Sequence, residues 1–115
     1  MFVVICHEEL NGMGIAICLK ATSQTAIYEN NKEMMAGVVY YKANELAFFN
    51  SNTAIQPDNP HPIPHAQLAA CLQKGILDIL GNMPEDFSIR LANAINASVT
   101  ISSERKQNFL KRLNS

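Results

Sequence analysis

The chain has 115 residues, 48% of them apolar and 17% charged, with a net charge of −1 at neutral pH. That length holds one domain with a core of its own, and the balance excludes a largely disordered chain and a uniformly basic nucleic-acid binder. Three cysteines at unrelated spacings, Cys6, Cys18 and Cys71, include no Cys-x-x-Cys pair, so three free thiols in a reducing, cytoplasmic setting are expected.

The opening run Phe2 to Cys6 has no basic leader and is too short for the apolar part of a secretion signal. Two alternating runs, Phe2 to Leu10 and Ile15 to Lys20, flank Asn11-Gly12 and predict a tight hairpin. A two-residue turn sets Cys6 opposite Ile17, Val4 opposite Leu19 and Glu8 opposite Ile15. One face then carries Val4, Cys6, Leu10, Ile15, Ile17 and Leu19, and the other Val3, Ile5, His7, Glu9, Cys18 and Lys20. Cys6 and Cys18 fall on opposite faces, which argues against a bridge between them.

Residues 22–36 fit either a strand turning at Asn30-Asn31 or a helix ending at Gly37. The Thr, Ile and Tyr content favours the strand. From Glu33 to Asn50 a second hairpin is expected, turning at Ala43-Asn44 and apolar on both faces, which suits a central or partner-covered strand. The longest apolar stretch, Met34 to Tyr41, falls far short of a membrane span.

Residues 51–64 (SNTAIQPDNPHPIP) hold four prolines in fourteen positions and predict an extended, solvated loop. Beyond it the apolar spacing changes to three and four. A helix is predicted from about His65 to Leu80, with Leu68, Leu72, Ile76, Ile79 and Leu80 on its apolar side, Cys71 at the edge of that side, and Gly81 as its stop. Pro84, Glu85 and Asp86 open a second helix with Phe87, Leu91, Ala94 and Ile95 on its core side. Ser102 or Ser103 caps a third, with Phe109, Leu110 and Leu113 inward. The fold class is therefore α+β: an antiparallel sheet of four or five strands from the N-terminal half, with two or three C-terminal helices packed on one face, in a single domain spanning residues 1–115.

Few residues combine into chemistry. His61 and His65 stand four apart, but prolines separate them and zinc asks for at least three ligands, so no metal or other cofactor is expected. Neighbouring strand residues point apart, so Cys6 and His7 cannot pair. His7, Glu9 and Cys18 share a face, and a thiol–imidazole–carboxylate group there is the one catalytic arrangement available. Gly12-Met13-Gly14 lacks the pattern of a phosphate loop. The segment ERKQNFLKR at 104–112 carries four bases with no companion patch, which fits a solvated helix face better than a nucleic-acid site.

Two functions follow as expectations. The first is a small interaction module, such as an adaptor, inhibitor, immunity or chaperone-like subunit. It would bind another protein and pair with a second copy, with Met34, Met35, Tyr40 and Tyr41 as interface candidates. The second is a small enzyme or ligand-binding domain using His7, Glu9 and Cys18.

Overall fold

In the computed structural model, which describes residues 1–75 and 80–113, the chain opens with the hairpin predicted at Asn11-Gly12. β1 (Phe2–Leu10) and β2 (Met13–Thr22) pair antiparallel, and the two turn residues take positive φ, 53° and 81°, the backbone a type I′ turn requires. Cys6 stands opposite Ile17 and Glu8 opposite Ile15, as expected. Val4 does not stand opposite Leu19. The register slips at Ile5, so Val3 meets Leu19 and Val4 meets Cys18. One extra residue reverses the face of everything before it. Val3 is therefore buried, while Val4 is 46% exposed.

Residues 22–36 are not a strand pair. Two single helical turns follow β2: α1 (Ala26–Glu29) and α2 (Lys32–Ala36). Asn31 caps the second, its Oδ1 accepting from the backbone N–H groups of Glu33 and Met34 at 3.1 and 3.2 Å. The Asn-Asn pair thus serves as a helix start instead of a hairpin turn. β3 (Val39–Tyr41) is three residues long, and the expected hairpin at Ala43-Asn44 does not form. Asn44 does turn the chain, with φ 65°, but its N–H donates to the Phe49 carbonyl at 2.7 Å. Phe49 folds back to meet the Tyr41 ring at 5.9 Å and Phe48 edge-on at 4.9 Å.

The largest correction is at residues 51–64. They hold β4 (Thr53–Pro64), an interior strand in the order β1-β2-β4-β3. Register explains why the prolines are tolerated. Pro62 and Pro64 lie opposite Ile17 and Ile15, two residues apart, so their missing donors fall on the same side of the strand. His61 and Ile63, opposite Cys18 and Ala16, are left to carry the ladder to β2. On its other side β4 meets β3 only at Thr53, Ala54 and Ile55; beyond them it is an edge that needs no donor. Pro57 and Pro60 sit in the bulge between the Lys20–Gln56 and Cys18–His61 pairs.

Three helices complete the fold. α3 (His65–Gln73) ends at Lys74 and Gly75, where φ is +71°, short of the expected Leu80. The Ile76 and Ile79 positions of its expected stripe lie outside the described residues. α3 buries none of its residues, and Cys71 is half-buried where a buried thiol was expected. α4 (Phe87–Ala97) buries the four residues predicted for it, Phe87, Leu91, Ala94 and Ile95. α5 (Ser103–Leu113) starts where Ser102 accepts the Arg105 N–H at 3.3 Å and turns Phe109 inward. The core joins α4 and α5 to one sheet face: Val3, Leu19, Ala21, Val39, Tyr41 and Ile55 meet Phe87, Leu91, Ala94, Ile95 and Phe109. Among the described residues no helix is long and apolar enough to cross a membrane.

Candidate functional site

Side chains alternate along a strand and cross-strand partners share a face, so the register lays out the face opposite the core in rows. Glu9 and Gly14 form one row, His7, Ala16 and Ile63 the next, then Val4, Cys18 and His61, then Phe2, Lys20 and Gln56. All three histidines of the chain gather at this face. His61 packs edge-on against Phe2 with ring centroids 5.4 Å apart. His65, the first residue of α3, reaches back over Gly14, and its Nε2 meets His7 Nδ1 at 2.8 Å. The two rings lie 4.9 Å apart and 62° from parallel.

Gly14 makes that contact possible. A Cβ at this position would stand inside van der Waals contact of His65 Nδ1 and crowd Cε1 and Cγ as well. The glycine is there for close approach of a ring, a role unrelated to phosphate. Ala16, fully buried opposite His7, keeps the row beneath the pair flat.

His7, Glu9 and Cys18 do share a face, as the pattern predicts. The surroundings of the thiol do not favour a catalytic role. Cys18 is 1% exposed, and burial first, then the neighbouring Cys6, pushes its thiol above the ordinary value. A nucleophile needs the opposite shift. His7 takes His65 as its partner in place of the thiol. His65, weighed in the sequence only beside His61, was not joined to His7 because four prolines read as loop; the recurrence of Pro62 and Pro64 at a spacing of two was the available signal of a strand delivering it. Among the described residues no three His, Cys, Asp or Glu side chains gather closely enough to hold a metal ion.

Of the expected interface residues Tyr41 is buried, and Met34, Met35 and Tyr40 are partly exposed. Tyr41 is 1% exposed in the core, with the Arg90 guanidinium 4.3 Å above its ring. Tyr40 donates its hydroxyl to Glu29, and Met34 and Met35 are half-buried. Beside them a shallow cleft of about 310 Å³ between α2, β3 and α4 is lined by Tyr40, Arg90 and Asn93 among apolar neighbours. Arg90 is already held there by the Tyr40 carbonyl at 2.6 Å and by Glu45 at 3.6 Å. Three of the four basic residues of α5 are similarly engaged: Arg105 donates to the Asp58 carbonyl, Lys106 to the Asn96 carbonyl, and Arg112 pairs with Glu8.

Comparison with protein-family models, curated proteins and solved structures finds no match to this chain.

Proposed function

We propose that this chain is a protein-interaction module whose contact surface is the sheet face opposite the core. One observation carries the reading: α4 and α5 cover one face, while the other leaves Phe2 51% and Val4 46% exposed beside the histidines. Adjacent exposed apolar side chains on a sheet are a common mark of a partner surface. β1 also stands at the end of the strand order, where an added strand is the other way to bind a partner. The bulge at Ile5 and the acids Glu8 and Glu9 oppose that route, so the face makes the contact. A second copy of the chain is the simplest partner for it.

Val4→Glu tests the reading, with Ile89→Glu as control, because Ile89 is 67% exposed on the far side of the helical layer. Crosslinking and co-purification from the native cell should recover complexes with the wild type and Ile89→Glu, and lose them with a folded Val4→Glu. Loss from Ile89→Glu instead would move the surface to the helices.

A further inference from the structure

The His7–His65 pair is positioned more exactingly than its own hydrogen bond explains. Both rings are exposed, and water competes for an exposed hydrogen bond between neutral groups, so the bond adds little to stability. Yet Gly14 leaves room for one ring, Ala16 lies flat opposite the other, and Pro62 and Pro64 stiffen the strand that delivers His65. Preorganisation without a stability gain is the mark of a binding site. His65 Nδ1 faces the Gly14 backbone, which leaves Nε2 as the nitrogen directed at His7.

We propose that His7 Nδ1 and His65 Nε2 are adjacent ligands of a divalent transition-metal ion of tetragonal or octahedral preference, Ni²⁺ or Cu²⁺, with water in its remaining positions. Imidazole nitrogens suit these ions. Zinc asks for at least three protein ligands, whereas these ions complete their shells with water around two imidazoles. The hydrogen bond of 2.8 Å holds the two ring nitrogens side by side. A small rotation of the two rings directs both lone pairs toward one point above the sheet. Glu9, opposite Gly14 on the same face, adds a negative neighbour that favours a cation. The protons balance. The hydrogen bond needs a proton on one of the two facing nitrogens and the ion needs both bare, so that proton moves to the outer nitrogen of its own ring. With only two protein ligands the site binds more weakly than a closed structural metal centre. It stands whether or not a protein partner covers the face.

Titration of the full chain with NiCl₂, read by calorimetry and by the histidine proton resonances, is the test. One equivalent binds saturably at micromolar concentration and broadens the His7 and His65 signals well before those of His61. His7→Ala and His65→Ala each weaken binding at least tenfold with the circular dichroism unchanged. Gly14→Ala weakens it similarly while removing no ligand. Should His7→Ala fail to fold, His65→Ala at the exposed start of α3 carries the same test. Saturable binding that survives both histidine substitutions overturns the proposal, and so does the absence of saturable binding. Tighter binding of ZnCl₂ than of NiCl₂ overturns the tetragonal geometry.

Discussion

Glu29 ties three parts of the chain together. Its Oε2 accepts from the Tyr40 hydroxyl and from the Asn52 amide at 3.0 Å, joining α1 to β3 and to the loop before β4. The Tyr40 bond, above the other influences, holds its carboxyl below the ordinary 4.5. A group lowered on folding stabilises fully above its unfolded value and loses that contribution as pH falls through the folded one. Denaturant midpoints measured from pH 6 downward should therefore decline below about 4.5, and Tyr40→Phe should flatten part of that decline. An unchanged slope in the variant would mean the bond contributes nothing. The thiols give a second expectation at this scale. Cys6 and Cys71 are half-buried and Cys18 is buried, and all three are free. Native titration should label the first two and leave Cys18 until unfolding, when three react without reductant. Fewer than three would reveal a bridge.

Each element's stability follows from how much of it the core takes. Leu91 is 1% exposed between α4 and the sheet, so Leu91→Ala should destabilise by about 2–5 kcal/mol. Leu72, 41% exposed on α3, should change stability by about 0.5 kcal/mol or less when cut to alanine. Thermal melts of the two variants separate a helix that builds the core from one that lies beside it. β4 has a sharper contrast. Pro62→Ala restores a donor on the side of the strand away from β2 and should be near neutral, while Ile63→Pro removes a donor that carries the ladder opposite Ala16 and should destabilise by about 2–4 kcal/mol.

The same elements show what could be read in advance. α4 was legible down to its buried residues because a helical period runs through Phe87, Leu91, Ala94 and Ile95, and α5 because Phe109, Leu110 and Leu113 share one side behind a serine cap. The first hairpin was legible to its turn, but a bulge at Ile5 leaves no mark in an apolar run such as Phe2 to Cys6. β4 was hidden because proline density signals loop, and which side of a strand needs donors depends on neighbours brought together only by folding. For the same reason His7 stood out on its strand face beside Glu9 and Cys18, while the glycine and second histidine that complete its pair, 7 and 58 positions away along the chain, did not. α1 and α2 are single turns, too short for any period, and are decided by the cap at Asn31.

At the scale of the whole molecule the fold is a slab. Its principal extents are 40 × 34 × 23 Å, and the shortest matches two layers, since a packed helix and a packed sheet each occupy about 10 Å. A chain of this length in a compact globule has a radius of gyration of about 13 Å; here it is 14.6 Å. α3 reaches over Gly14 and covers only part of the opposite sheet face, and the part left open bears Phe2 and Val4 rather than a full set of charges. Burying those side chains against a second slab removes apolar area from water on both copies at once, because a two-fold contact uses the same patch twice. Light scattering at high micromolar concentration should therefore give a mass above the 12.7 kDa of a single chain. Val4→Glu should return the mass to one chain, since two like charges would then meet near the axis in a low-dielectric contact. Raising the salt concentration should leave wild-type association intact, as an apolar contact is not screened. A wild type that stays a strict monomer would rule out a second copy and leave a different protein as the face's partner.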